Sequence, residues 1–388
     1  MKILHAVEFY EPSVGGAQEV VRQISTRLAK RGHEVTVATS FDDRRTNEAI
    51  DGVRIQSFRV TGNAVRGIQG EVDAYRRFVR QGDFDVVMTY AAQQWTTDAL
   101  LPILESIPAR KILAPCGFSG LKKRRYQNYF AGLPQHLSKF DALVFHSSSY
   151  QDMRFAQTAG LTNCIVIPNG ADEREFADRL PDHDIRHTLN LARQGPLIVA
   201  VGSHSGRKGH GLLMHAFSRS EAGRDGTLLL IGNKPWHLGC SETCSVLARA
   251  YNSRNHGRIV LASVPRPQVV DALKSADLFV HCSPTECSPL VLFESAAAGL
   301  PFVSLDSGNA LEITKWLHGG TIVPMRRRKI KDYKKLVREV ADAIDAELED
   351  RVALAARGNK MRQTWSDDFS WRSIATQYET LYEQVIAR

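Results

Sequence analysis

Two glutamates separated by seven residues form the most chemically suggestive pattern in this chain of 388 residues. Glu286 follows a predicted buried strand, and Glu294 lies in the apolar helix that comes next. Burying a carboxylate in such a helix is unfavourable unless hydrogen-bond donors satisfy it, and sugar hydroxyls are donors of this kind. The pair therefore predicts a site for a polar ligand. The structural alternative is a glutamate that only complements the dipole of the first helical turn.

A glycine-rich loop with two adjacent cations is the second candidate. It runs from Gly202 to Gly209, between a predicted strand and helix, and contains Arg207 and Lys208. A pyrophosphate needs close backbone approach, a helix N-terminus and one or two cations, and this loop can supply all three. Its spacing is not that of a P-loop, so ATP hydrolysis is not indicated. A solvated loop whose cations face water is the alternative.

A third candidate is the turn at Gly15 and Gly16, which leads into the first predicted helix. The free N–H groups and the dipole of a helix N-terminus favour an anion. The turn lacks the G-x-G-x-x-G spacing, and no acidic residue closes the following strand, so dinucleotide binding is disfavoured. The alternative is a turn with a purely structural role.

The six cysteines are scattered in a way that is typical of reduced thiols. Cys240 and Cys244 are the one closely spaced pair with a metal-like pattern, and His237 and His256 flank them. No nearby second Cys/His pair completes a zinc set. We therefore interpret the pair as a loop and a helix start, and we expect no metal site and no cofactor.

The elements that must position these residues are short apolar strands that alternate with helical patterns. This alternation predicts an α/β fold with parallel sheets, whose ligands lie beyond the carboxyl ends of the strands. The polar stretch from Asn169 to about Gly195 interrupts the rhythm and predicts a hinge. We expect two Rossmann-like domains, over residues 1–172 and 173–368, because a single sheet of about a dozen strands would twist apart.

The last segment, residues 369–388, has the pattern of one amphipathic helix. We expect this helix to cross back to the first domain and tie the two domains together. Its apolar face consists of Trp371, Ile374, Tyr378, Leu381 and Val385.

The net charge of +8 is concentrated in two basic runs. Residues 122–125 carry +4 and residues 326–335 carry +6, so the remainder carries −2. The first run, Lys122, Lys123, Arg124 and Arg125, precedes aromatic residues and suits an anionic or lipid-diphosphate-linked acceptor or a membrane headgroup surface. A solvated loop is the alternative for this run, and it is the expected explanation of the second run, to which we assign no role. Neither run belongs to a nucleic-acid-binding motif, so no nucleic-acid partner is expected.

Several motifs in a fixed order together resemble the retaining glycosyltransferases of family 4, which have the GT-B fold. The resemblance covers nearly the whole chain. The motifs are PSVGGAQE at 12–19, IPNGAD at 167–172, VGSHSGRKG at 201–209, LLLIGNKP at 228–235, SPTECSPLVLFESAAAGLPFVS at 283–304 and FSW…YETLY at 369–382.

The resemblance implies that a nucleotide-sugar donor binds mainly the second domain, that an acceptor binds mainly the first, and that they react in the cleft between them. It assigns Lys208 to phosphate binding, Glu286 to the donor-sugar hydroxyls and Glu294 to the ribose. Gly16 would lie close to the diphosphate, and the backbone N–H groups from Cys287 to Leu290 would face the sugar and phosphates. The implied donor site therefore includes Gly202, Ser203, Gly232, Cys287, Ser288, Pro289 and Leu290.

The chain also departs from the family pattern. Ser203 stands where the family has an arginine, and Arg207 is the nearest basic substitute. First-domain histidines of the family correspond to Tyr90 and Cys116, which we place with Lys122–Arg125 on the acceptor side. The segment Cys287-Ser288-Pro289 replaces a glycine-aromatic-glycine segment.

The resulting expectation is a retaining hexosyltransferase that uses a UDP- or GDP-linked sugar. Its acceptor would be a glycan or a lipid-linked saccharide of bacterial surface polysaccharide or lipopolysaccharide synthesis. Arg207 and Lys208, with Glu286, would carry the catalysis without a metal, because no Asp-x-Asp motif follows a strand. The alternatives are a non-catalytic sugar-nucleotide-binding scaffold subunit and a GT-B-fold sugar-nucleotide epimerase.

We expect a cytoplasmic protein with peripheral contact to the inner membrane surface. The first apolar run is interrupted by Glu8 and Glu11, which is not typical of a signal peptide. No run of about 18 apolar residues suggests a membrane span.

Overall fold

Strands rich in valine, isoleucine and leucine form two parallel sheets, as the sequence pattern predicts. In the central strands Val86–Tyr90 and Thr227–Ile231 every residue is buried, which is typical of parallel sheets covered on both faces. The structure is a computed structural model that describes residues 1–191, 194–233, 240–254, 257–325 and 331–388. These residues divide into two compact units, Met1–Asn169 with Trp371–Arg388, and Gly170–Ser370.

The first unit contains an eight-stranded sheet with the order β10-β9-β8-β7-β1-β2-β4-β3. All neighbouring pairs are parallel except the edge pair β3 and β4. A separate hairpin consists of β5 and β6. The strands are β1 (Lys2–Ala6), β2 (Glu34–Ser40), β3 (Ala49–Ile50), β4 (Val53–Phe58), β5 (Val60–Asn63), β6 (Gly67–Gly70), β7 (Val86–Tyr90), β8 (Arg110–Ala114), β9 (Ala142–Phe145) and β10 (Cys164–Val166).

The helices of the first unit follow the predicted periodicity. In α1 the predicted apolar face of Val21, Ile24 and Leu28 is fully buried. The α-helices are α1 (Gly16–Lys30), α2 (Val72–Gln81), α3 (Trp95–Asp98), α4 (Gln127–Leu137), α5 (Gln151–Thr158) and the C-terminal α14 (Trp371–Ile386), and short 3-10 segments span Leu101–Ser106 and Arg124–Tyr126.

Helix α14 packs against α1 and completes the first unit, so the predicted return of the C-terminal helix is confirmed. All five residues of its predicted apolar face are buried. At the rim of this contact the Glu379 carboxylate accepts hydrogen bonds from Arg31 and from His33, whose Nε2 lies 2.6 Å away. Apolar burial and these polar contacts together attach the end of the chain to its beginning.

The second unit contains a six-stranded parallel sheet with the order β13-β12-β11-β14-β15-β16. Its strands are β11 (Leu197–Val201), β12 (Thr227–Ile231), β13 (Arg258–Ala262), β14 (Leu278–His281), β15 (Phe302–Leu305) and β16 (Thr321–Val323). Its helices are α6 (Ile185–Thr188), α7 (His210–Phe217), α8 (Ser241–Asn252), α9 (Arg266–Ser275), α10 (Leu290–Ala297), α11 (Ala310–Trp316), α12 (Lys331–Glu349) and α13 (Arg351–Thr364), with a π-helical segment at Trp365–Phe369.

The strand order of the second sheet reverses at β11, which pairs with β12 on one side and with β14 on the other. A crevice opens at such a switch point beyond the carboxyl ends of the strands, and ligands of open α/β sheets bind there. The predicted loop of residues 202–209 follows β11 directly, and residues 282–289, which include Glu286, follow β14 directly. The topology therefore places them side by side.

A buried histidine makes the first unit sensitive to acid. His5 lies on β1 with Nδ1 2.7 Å from the Ser25 hydroxyl and Nε2 2.9 Å from the Tyr382 hydroxyl. Burial lowers the pKa of His5 from 6.5 to about 3. Between these values the unfolded chain binds a proton that the folded chain does not, so stability falls as the pH falls below about 6.5.

As the pH falls from about 6.5 to 4.5, the unfolding free energy of the wild-type chain should decrease. We expect His5→Gln to reduce this decrease by up to about 1.4 kcal/mol per pH unit. The glutamine cannot titrate, whereas the histidine takes up one proton on unfolding. Urea unfolding at several pH values measures the slope. The matched control is His187→Gln on the exposed end of α6; equal slopes for the two variants would contradict this prediction.

Candidate functional site

Lys208 and Glu286 form an ion pair at the switch point of the second sheet. The Lys208 Nζ donates a hydrogen bond of 2.7 Å to the Glu286 Oε1. His281, the last residue of β14, brings its Nε2 to 3.4 Å from the same oxygen. The loops that follow neighbouring strands β11 and β14 thus bring a cation, an anion and an imidazole together.

The carboxyl group of Glu286 is held in its anionic form. Burial by itself would raise its pKa, but the hydrogen bond from His281 and the charge of Lys208 lower the pKa from 4.5 to about 2. The anion can accept hydrogen bonds from hydroxyl groups, and the ammonium of Lys208 can bind a phosphate. The site therefore offers complementary charges for a ligand that carries both groups.

Glycines allow the backbones of three strand ends to approach one another. Gly209 has a φ of 71°, and a Cβ there would lie 1.9 Å from the Cys282 carbonyl oxygen. A Cβ at Gly232, after β12, would lie 2.0 Å from the Gly202 oxygen, and one at Gly202 would lie 3.1 Å from Cγ of Lys208. Any larger residue at Gly209 or Gly232 would push the loops apart.

Glu294 lies in the first turns of α10 and is nearly buried. Its Oε1 accepts a hydrogen bond of 2.7 Å from Arg266, whose guanidinium also binds Glu175. Its Oε2 is buried and has no hydrogen-bond partner within the described ranges. An unsatisfied buried carboxylate oxygen is unfavourable, so this atom is suited to accept a hydrogen bond from a ligand hydroxyl.

Sequence reasoning missed Arg266 and His281. Burial by itself would lower the pKa of Arg266, but the nearby carboxylates of Glu294 and Glu175 raise it, so this residue is a permanent cation. Arg266 begins α9, four residues after the end of β13, and His281 ends β14. Their positions at strand ends are a signal that could have identified them.

The cations and small residues of the loop after β11 differ in exposure. Lys208 is half-buried against Glu286, whereas Arg207 and Ser203 are exposed. The Arg207 carbonyl oxygen accepts a 3.3 Å hydrogen bond from the Ser283 hydroxyl, which links the two loops. The structure thus brings Lys208, but not the Arg207 side chain, onto the glutamate.

The segment from Cys287 to Leu290 leads into α10, which begins at Leu290. One part of the prediction for this segment is wrong, because Pro289 has no N–H to donate. The Cys287 carbonyl oxygen accepts a 2.9 Å hydrogen bond from the Asn309 N–H. Cys287, Ser288 and Leu290 are therefore the residues of this turn whose N–H groups can face a ligand.

Gly16 is the first residue of α1 in the other unit, and no atom lies within 4 Å of the position of its missing Cβ. Open backbone at this helix N-terminus is compatible with an anion. Glu19 in the same turn forms an ion pair with Arg22 and accepts a hydrogen bond from Gln23, so a cation balances its negative charge.

On the predicted acceptor side, Tyr90 is buried and Cys116 is half-buried. The Tyr90 hydroxyl lies 2.8 Å from Nε2 of His146, a residue that the sequence reasoning missed. This burial does not support direct contact between Tyr90 and an acceptor. Cys116 has a φ of 56° in the loop after β8.

The basic run at residues 122–125 is exposed, but the aromatic residues that follow it are not a surface feature. Tyr126 and Phe130 are buried in the core of the first unit, and the Tyr129 hydroxyl donates a 2.8 Å hydrogen bond to Asp98. The predicted basic-aromatic surface is therefore wrong in its aromatic part, because these rings fill the core beside α4. Residues 326–330 of the second basic run lie outside the described residues.

The expectation that no Cys/His pair joins Cys240 and Cys244 is also wrong. His204, from the loop after β11, and His210, the first residue of α7, lie beside the two cysteines. The prediction overlooked this pair because it is distant in sequence and comes close only through the pairing of β11 with β12. His237 and His256, which the sequence analysis considered, lie outside the described residues. Burial, with the charges of His204 and Lys208, lowers the pKa of His210 to about 4.

Two family models match the chain. The model described as "Glycosyltransferase Family 4" matches residues 14–175, and the model described as "Glycosyl transferases group 1" matches residues 182–361. Together they match most of both units and include Lys208, Glu286 and Glu294.

Curated relatives align over almost the full length. N-acetyl-alpha-D-glucosaminyl L-malate synthase of Bacillus anthracis is 22% identical, over 100% of this chain and 98% of the relative. GDP-mannose-dependent alpha-(1-6)-phosphatidylinositol monomannoside mannosyltransferase of Mycobacterium tuberculosis is 24% identical, over 96% of each. Among solved structures, that of Anabaena HepE in complex with UDP superposes with a TM-score of 0.76 at 20% identity, and covers 99% of this chain and 100% of that chain.

None of the helices among the described residues has the length and apolar character needed to cross a membrane.

We expect Gly209→Ala to destabilise the protein much more than Gly206→Ala. Both glycines have a positive φ, of 71° and 73°, so both alanines carry a left-handed backbone penalty of about 1–2 kcal/mol. A Cβ at Gly206 meets open space, whereas one at Gly209 collides with the Cys282 backbone. Urea unfolding measures the difference; equal losses of stability would contradict the close approach of the two loops.

Proposed function

Because this chain belongs to glycosyltransferase family 4 and has the GT-B fold, as its motifs predicted, we propose that it transfers a sugar from a nucleoside diphosphate to an acceptor hydroxyl. The observation that carries the proposal is the Lys208–Glu286 pair at the switch point of the second sheet. In the same unit lies the buried Oε2 of Glu294, which has no hydrogen-bond partner in the part of the chain that the structure describes. The donor is a UDP- or GDP-linked sugar.

In the proposed complex the Lys208 ammonium binds the diphosphate, and the Glu286 carboxylate accepts hydrogen bonds from the sugar hydroxyls. Glu294 accepts hydrogen bonds from the ribose through Oε2, while Arg266 holds Oε1. When a donor binds, Lys208 and Glu286 would separate from each other and each would bind the ligand instead. The charges of Lys208 and Glu286, already desolvated and positioned in the free protein, would then stabilise the reacting groups of the donor.

The chemical step breaks the anomeric C–O bond to the leaving phosphate and forms a bond from the acceptor oxygen to the same face of the anomeric carbon. The leaving phosphate oxygen takes the acceptor proton, so the configuration is retained and no side-chain base is required. Negative charge grows on the leaving diphosphate, and Lys208 stabilises it. Arg207, exposed on the same loop, is a second candidate cation, which is the basis for proposing a metal-independent transfer.

We propose a glycan or lipid-linked saccharide as the acceptor, bound by the first unit. Two observations support this class. The four bases at residues 122–125 are exposed, and one relative is named for action on a phosphatidylinositol mannoside. The same bases would attract the protein to anionic headgroups at the cytoplasmic membrane face. Surface polysaccharide or lipopolysaccharide synthesis is the proposed setting.

The donor is identified by incubating the protein with UDP- and GDP-linked hexoses and measuring thermal shift and release of free nucleoside diphosphate. We expect one donor to raise the melting temperature by mass action and to release its nucleoside diphosphate in the presence of acceptor. Because Ser203 replaces an arginine, a scaffold subunit is the rival function. Tight binding of a donor without turnover would favour that rival, and interconversion of the sugar would identify an epimerase.

Replacement of Lys208 by alanine should lower kcat by about 100-fold or more, on the scale of removing one charge-stabilising group. The matched control is Lys360→Ala, an exposed lysine on α13. Steady-state release of nucleoside diphosphate measures both. Turnover of the Lys208 variant close to that of the control would remove Lys208 from the proposed role.

A further inference from the structure

Four metal-ligating side chains converge in the second unit, outside the roles assigned above. His204 lies in the loop after β11, His210 begins α7, Cys240 precedes α8 and Cys244 lies in its first turn. Their ligand atoms all lie within 4.8 Å of one another. No reaction step proposed above uses these side chains.

The distances among the two imidazole Nδ1 atoms and the Cys240 Sγ are those of a tetrahedral zinc site. Zinc binds sulfur at about 2.3 Å and nitrogen at about 2.0–2.1 Å. In a tetrahedral site two nitrogen ligands therefore lie about 3.3 Å apart, and a nitrogen and a sulfur ligand lie about 3.6 Å apart. The two Nδ1 atoms lie 3.2 Å apart, and each lies 3.7 Å from the Cys240 Sγ. One ion can therefore reach these three atoms without rearrangement, and the Cys244 Sγ lies within 4.8 Å of each of them.

The donor set and its burial are those of a structural site. His204, His210 and Cys244 are buried, and Cys240 is half-buried. Two histidines and two cysteines fill all four positions of a tetrahedron, which leaves none for a reacting ligand. The spacings H-x5-H and C-x3-C also fall within the ranges usual for structural zinc, although the histidine pair comes first in the chain.

We propose that His204, His210, Cys240 and Cys244 bind one zinc ion. The two imidazoles bind through Nδ1 as neutral ligands, and the two thiols bind as thiolates. Zinc binding therefore releases two protons to solvent and leaves every oxidation state unchanged.

The zinc ion would fix the loop that carries Lys208. His204 and His210 bracket residues 205–209, and the cysteines attach this segment to the start of α8. The backbone already forms one such link, because the Cys240 N–H donates a 2.9 Å hydrogen bond to the His204 carbonyl oxygen. The ion is a structural clamp, distinct from the metal-independent chemistry proposed at the diphosphate.

Metal analysis of the full chain tests this site without any activity measurement. We expect about one zinc ion per chain in protein purified without chelator, and loss of that zinc in Cys244→Ser. The matched control is Cys164→Ser, a half-buried cysteine of the other unit, which should keep its zinc. Equal zinc contents in both variants, or a wild-type chain that neither contains nor takes up zinc, would overturn the proposal.

Cobalt substitution and chelation test the site in the wild-type chain, so the result does not depend on folding of a variant. Cobalt added to the chelated protein should give the visible absorption of a tetrahedral ion together with thiolate charge-transfer bands. Zinc should reverse the loss of melting temperature caused by chelation. A cobalt spectrum without thiolate bands would overturn the proposal. Four rather than six free thiols after unfolding in denaturant would also overturn it, because a disulfide would then occupy the cysteines.

Discussion

The close approach of three strand ends in the second unit is the constraint on which the rest of the site depends. Gly209 and Gly232 allow it, because a Cβ at either position would overlap a backbone oxygen of the neighbouring loop. With the loops this close, Lys208 reaches Glu286 across adjacent strands. The spacing of the backbone, rather than any single side chain, therefore creates the site.

Charges in this region are paired before any ligand arrives. Glu286 is anionic beside Lys208 and His281, and Arg266 joins Glu294 to Glu175. A half-buried charge without a partner would be costly, so each partner stabilises the other in the free protein. In the proposed function this pairing keeps Lys208 and Glu286 oriented in the free protein, and a bound donor would take the place of each partner.

The loop after β11 connects two kinds of chemistry. Lys208 in this loop contacts Glu286, while His204 in the loop and His210 at its end lie beside Cys240 and Cys244. Lys208 and His210 thus have different surroundings although they are two positions apart. The reason is that the loop follows β11, which lies between β12 on one side and β14 on the other. A proposed zinc ion on one side would restrict the backbone that presents Lys208 on the other.

Local patterns in the sequence determined the fold class, the apolar faces of α1 and α14, and the loops that carry Lys208 and Glu286, because periodicity and turn residues act over a few neighbouring positions. Only the tertiary structure decided which distant groups meet. Arg266 reaches Glu294, His204 and His210 reach Cys240 and Cys244, and Tyr126 enters the core rather than the surface. The physical reason is that the order of parallel strands, set by long crossover connections, brings these residues together, and no short-range pattern encodes that order.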